Sequence, residues 1–61
     1  MKCYLAFGRA GVGWHGYYGP YDRREDAEAD LERRRCRGVL YEIVECESNT
    51  SMNDWMTSSD V

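Results

Sequence analysis

The stretch GVGWHGYYG, residues 11–19, sets Gly11, Gly13 and Gly16 in the spacing G-x-G-x-x-G. That pattern holds a dinucleotide pyrophosphate when it runs from a strand directly into a helix N-terminus. Here Gly16 is followed by Tyr17, Tyr18, Gly19 and Pro20, and the helical pattern begins only near Arg23. The amides of a helix start are then too far along the chain to receive the phosphates. The G-x-x-x-x-G-K-[ST] alternative is absent as well, because Lys2 is the only lysine. These glycines read instead as a hairpin connection that crowds Trp14, Tyr17, Tyr18 and Tyr21 over a thin sheet. The aromatics serve first as core. Together with His15 and Arg24 they form the alternative site, one for a small ligand or a nucleic acid held by stacking.

Other chemistry finds fewer components. His15 is the only histidine, and nucleophilic catalysis would need it beside Cys3 or Cys46 with a third group to orient it. A metal site from Cys3, Cys46 and His15 lacks both a fourth ligand and the usual ligand spacing. Cys3 and Cys46 read more simply as small buried hydrophobes. Three cysteines, an odd number without a C-x-x-C pair, fit reduced thiols better than a disulfide framework. No catalytic residue, metal ligand or cofactor is assigned, and the expectation is a protein that is not an enzyme.

The elements that must position these residues follow from periodicity. KCYLAF, residues 2–7, alternates Cys3, Leu5 and Phe7 with Lys2, Tyr4 and Ala6, which is a strand. WHGYYG, residues 14–19, is a second strand with a bulge or close approach at Gly16, ended by Gly19 because Pro20 cannot donate to a ladder. A helix over 23–36 is heavily punctuated. Asp22 and Glu25 have capping-box spacing, acids fill its first half, Arg33, Arg34, Arg35 and Arg37 its end, and Gly38 supplies the stop. Its apolar stripe is only Ala27 and Leu31, flanked by Asp30 and Arg34 at pairing distance along the helix. VLYEIVECE, residues 39–47, is a third strand whose glutamates fall on both parities, which suits a bulge or an edge position. In the polar tail, Met52, Trp55 and Met56 stand at i, i+3 and i+4 behind Ser51 and Asp54, the spacing of one short amphipathic helical turn. The expected fold is α+β: a small β-β-α-β unit over residues 1–47, an antiparallel sheet of about three strands, one helix packed on one face, and a polar tail over 48–61.

Sixty-one residues make one domain whose core leaves roughly 3 to 5 kcal/mol of stability. Association with a partner, or into a homodimer, is therefore expected. With neither a secretory leader nor an 18-residue apolar run in the sequence, the expected compartment is the cytoplasm, without membrane contact. The net charge of −3 is unevenly laid out. Residues 1–21 carry Lys2 and Arg9 and no acid, residues 22–37 balance six acids with six arginines, and residues 38–61 hold Glu42, Glu45, Glu47, Asp54 and Asp60 with no base. Such an acidic final third repels phosphate, so direct nucleic-acid binding is disfavoured and a protein with a basic surface is the expected partner. Glu42, Glu45, Glu47 and Asp54 would steer it, and Met52, Trp55 and Met56 would supply apolar anchors.

The run GPYDRREDAEADLERRRCRGVLYEIVE, residues 19–45, resembles the many very small proteins encoded by bacteriophages and mobile elements. They share a short strand, an aromatic-Gly-Pro turn, an Asp-capped Glu/Ala/Arg helix and a closing apolar-acidic strand. This chain departs from that pattern in placing Arg34 where a leucine would be comfortable and in adding a Trp/Met tail. The resemblance implies a compact accessory protein, of a class that includes anti-CRISPR and other anti-defence inhibitors acting in the host cytoplasm by occluding a host protein. It transfers no active residue.

Overall fold

A computed structural model describes residues 1–59; Asp60 and Val61, which end the expected tail and the Ser59-Asp60-Val61 terminus that looks like a strand-adding peptide ligand, lie outside the described residues. Strand β1 (Lys2–Arg9) is the middle of a three-stranded sheet of order β2-β1-β3, antiparallel throughout. Its central position explains its composition. Cys3 and Leu5 on one face and Tyr4 and Ala6 on the other are all buried, so both faces of the sheet are covered.

Strand β2 (Gly13–Tyr21) returns through a tight connection in which the Val12 amide donates to the Arg9 carbonyl at 3.1 Å. The approach is close enough that a Cβ on Gly8 would fall on the Gly13 carbonyl oxygen and lie 2.8 Å from the Trp14 Cα. Contrary to the expected end at Gly19, β2 continues through a cis Gly19–Pro20 bond to Tyr21. The reason is its edge position, where a proline nitrogen facing away from the sheet costs no ladder bond. Pairing with β1 shifts twice, between Cys3 and Leu5 and between Phe7 and Gly8. The second shift places the extra residue at His15, beside the expected Gly16. Gly16 itself is a close approach, with the Phe7 ring 3.0 Å from where its Cβ would stand.

Helix α1 (Arg24–Arg34) keeps the expected charge order, with Glu25 and Asp26 in its first turn and Arg33 and Arg34 in its last, but its ends differ. The capping residue is Arg23, without a side-chain cap, because the Asp22 carboxylate instead accepts from Lys2 Nζ at 3.1 Å. At the far end the chain turns extended at Arg35, and Gly38, at φ +81°, lies in the following turn. Strand β3 (Leu40–Cys46) then pairs with β1 in unbroken register from Lys2↔Cys46 to Gly8↔Leu40.

The expected single helix gives way to two. Helix α2 (Asn49–Ser58) occupies most of the expected tail and is capped by Ser48, whose hydroxyl accepts from the Ser51 amide, so it begins ahead of the short turn expected behind Ser51 and Asp54. It buries Met52 completely against Tyr4, Ala6, Val44 and Cys46. The physical reason is the second apolar face of β1: Tyr4 and Ala6 need a cover, and α1 lies on the opposite side. The result is helix, sheet, helix, with extents of 29 × 26 × 11 Å. The longest matches the strands and the next the three layers. The shortest is the width of three strands about 4.8 Å apart, so both sheet edges lie on the broad sides of a slab. No helix among the described residues is long and apolar enough to cross a membrane.

Candidate functional site

Strand alternation decides where the candidate residues go. Tyr17 and Tyr18 are neighbours in β2 and so point to opposite faces. On the α2 face, Tyr17 meets Tyr4 edge to face at 5.5 Å and Trp14 lies 4.9 Å from Trp55. On the α1 face, Tyr18 stacks on Phe7 at 5.0 Å and under the Arg34 guanidinium at 3.9 Å. Tyr21 donates its hydroxyl to Asp30 on the same side. His15 is exposed at the bulge, and Arg24 is exposed and 3.8 Å from Glu28. The alternative ligand site of Trp14, His15, Tyr17, Tyr18, Tyr21 and Arg24 is therefore divided between two faces and a hairpin. Gly13 and Gly16 lie within β2, well before α1 begins, as a hairpin reading of these glycines requires.

The α1 face holds a cluster that sequence reasoning resolved only in part. Asp30 is 8% exposed and accepts from Tyr21, from Arg33 Nη2 at 2.6 Å and from Arg34 Nε at 2.9 Å. The Tyr41 hydroxyl closes the group by donating to the Arg34 carbonyl at 2.8 Å. Hydrogen bonds from Tyr21, Arg34 and Arg33 hold the Asp30 carboxyl well below the usual carboxylate range. Burial, then the Asp30 carboxylate, push the Tyr21 phenol up to about 12. Because Tyr21 comes from β2 and Asp30 from α1, this hydrogen-bonded pair is a clasp joining helix to sheet. An open depression beside it is lined by Tyr21, Asp26, Ala29, Asp30 and Arg33. The signal for the clasp was an aspartate at i+3 from Ala27, on the helix stripe that docks; its tyrosine partner comes from β2 and has no local signature.

The thiols do not assemble. Cys3 faces α1 and Cys46 faces α2, both buried, while Cys36 is exposed in the turn after α1. Burial and the neighbouring Glu45 raise the Cys3 thiol above its ordinary value. Among the described residues no three His, Cys, Asp or Glu side chains are placed to share a metal ion.

The acidic residues remain outside. Glu42 and Glu45 on β3, Glu47 just beyond it and Asp54 on α2 are exposed, and among the described residues none forms an ion pair. The expected anchors are different. Met52 is fully buried, with the Cys46 thiol 3.8 Å from its sulfur, and Trp55 and Met56 are half-buried against the same core. Met52 is thus withdrawn from any partner while α2 is docked, because so thin a sheet needs it as core. Comparison of the chain with protein-family models, with curated proteins and with solved structures finds no match.

Proposed function

We propose that this chain is a non-enzymatic binding protein that inhibits a basic partner by covering it. The partner class is a nucleic-acid-binding host defence effector, of the kind blocked by phage-encoded anti-CRISPR proteins. The observation that carries this reading is a separation of charge. Arg24, Arg33, Arg34 and Arg35 each meet a carboxylate of α1, while Arg9, Arg23 and Arg37 form no ion pair among the described residues. Glu42, Glu45, Glu47 and Asp54 meet no base among the described residues, and Glu45 accepts only from the Cys3 thiol at 3.8 Å, so their charge is left uncompensated. Like charges left unpaired repel one another. A basic surface relieves that repulsion and is steered toward it during encounter. Occlusion asks for no reactive group, and the two side chains with strongly displaced titration, Tyr21 and Asp30, are bound to each other. The alternative reading, a small-ligand or nucleic-acid module built on the aromatic hairpin, lacks comparable support because its residues face apart.

The test immobilises the wild-type chain and a Glu42→Gln/Glu45→Gln/Glu47→Gln variant and exposes both to lysate of the native host. The expected result is a basic protein retained at low salt by wild type and lost from the variant, whose nucleic-acid binding falls when the chain is added. Equal retention by both chains, or turnover of any substrate by the isolated chain, removes the reading.

A further inference from the structure

The two edges of the sheet are built differently. β2 carries Pro20, two register shifts and Gly16 and Gly19, the devices by which an edge strand is made unfit to pair with another chain. β3 carries none of them: its seven residues LYEIVEC run in unbroken register with β1. The sheet order leaves the other side of β3 without a strand. This regular edge lies on a broad side of the slab, and its exposed side chains are Leu40 at one end and Glu42 and Glu45 along its length. Natural edges are guarded by lysine most of all; this one offers carboxylates only, with Glu42 on the α2 face and Glu45 on the α1 face.

We propose that β3 accepts an extended basic segment of the partner protein as a fourth strand. The inference rests on the binding reading above and names how the contact is made. Main-chain hydrogen bonds along the edge supply affinity, and the alternating side chains supply selection. Residues directly opposite across a strand pair share a face, so the spacing of Glu42 and Glu45 specifies the incoming chain. It carries basic residues at i and i+3, one for each face, with apolar residues between and beside them to meet Tyr41, Ile43 and Val44. A second copy of this chain is a poor occupant, because its own β3 brings two more glutamates and no base.

The probe is a capped peptide with the core Val-Lys-Ile-Val-Lys-Val and serine flanks, together with two analogues N-methylated on alternate backbone amides, one set on each edge of the peptide. Binding is followed on isotope-labelled full-length protein by amide shifts and hydrogen exchange. The expected result is that the parent peptide binds and protects amides within residues 40–46 while β2 is unchanged. One N-methylated analogue binds like the parent, and the other, whose methyl groups face β3, loses at least about tenfold. Each of Glu42→Gln and Glu45→Gln weakens the parent by about 1.4- to fivefold, the range for an opposite-charge cross-strand pair. Equal binding by both analogues means contact through side chains alone; it overturns strand addition and leaves the basic-partner reading standing. No binding by the parent, or β3 amides already protected in a dimer seen by light scattering, overturns the proposal by closing the edge. Full binding by the Glu42→Gln/Glu45→Gln double variant removes both the proposal and the charge argument beneath it.

Discussion

Asp30 ties β2 to α1 through one carboxylate. Tyr21 reaches it from β2, and Arg33 and Arg34 from the last turn of α1. Arg34 in turn lies over Tyr18 and offers its carbonyl to Tyr41 of β3. A neighbouring leucine in place of Arg34 would cover the sheet as well but would leave Asp30 short of a donor inside a helix–sheet contact. The clasp has a defined pH window. Asp30 is held below its ordinary value, so its contribution is complete above about pH 4 and is lost only as the pH falls well beneath that. Tyr21 is raised to about 12, so its contribution is complete below its ordinary value near 10 and is lost as the pH climbs from there to about 12. Stability measured by urea midpoint is expected to be level with respect to this pair from about pH 5 to 9 and to decline on the alkaline side. Tyr21→Phe lowers the plateau and removes the part of the alkaline decline that belongs to Tyr21. An alkaline decline identical in wild type and Tyr21→Phe would show that Tyr21 ionises as freely in the fold as out of it.

At the scale of elements, β1 demands two covers, and that demand accounts for α2. Met52 enters the space between Tyr4, Ala6, Val44 and Cys46, and Trp55 adds itself to Trp14. A chain ending at Glu47 keeps all three strands and α1 but exposes that face. It is expected to lose cooperative thermal unfolding, followed by circular dichroism, whereas the chain ending at Ser59 melts in one transition. Met52→Ala in the full chain costs about 2 to 5 kcal/mol, comparable with the roughly 3 to 5 kcal/mol that a core of this size supplies. A cooperative 1–47 fragment would show that α2 is an appendage. The elements were unequally legible for reasons found in particular residues. α1 is written in charge, and its acids and arginines fall where its dipole favours them. α2 is written in Ser, Asn, Thr and Asp, residues that cap and turn as readily as they continue a helix. Its one signal, Met52, Trp55 and Met56 on a single stripe, suggested only a turn. The stronger clue lies in β1, where Tyr4 and Ala6, on the face opposite Cys3 and Leu5, are already apolar. The extent of β2 escaped because Pro20 ends a central strand and not an edge one, and edge position is a property of the sheet. The candidate site divides likewise. The exposed glutamates were legible one by one, while the splitting of the aromatic cluster follows from the period of two once β2 is known to include both Tyr17 and Tyr18.

Over the whole molecule, the proposed binding surface and the core draw on separate residues. Met52, Trp55 and Met56 of α2 turn inward to complete the core, and the acids of β3 and α2 remain on the surface without an ion-pairing base among the described residues. Substitutions should therefore sort into two groups. Trp55→Ala removes a half-buried ring from Trp14 and is expected to cost about 2 kcal/mol of folding stability, less than the 3 to 5 kcal/mol of a fully buried aromatic. It should leave the association rate with the retained basic protein unchanged. The Glu42→Gln/Glu45→Gln/Glu47→Gln variant is expected to hold its stability within about 0.5 kcal/mol, as surface changes do. Its association rate should fall, and the slope of that rate against ionic strength should flatten, because steering acts over the Debye length and these charges supply it. Stopped-flow association at several salt concentrations, beside urea denaturation of each variant, reads both quantities. If Trp55→Ala weakens binding while the glutamine variant does not, the ring leaves Trp14 to anchor the partner. The acidic edge would then be mere solvated surface, and α2 rather than β3 would be the element that meets the target.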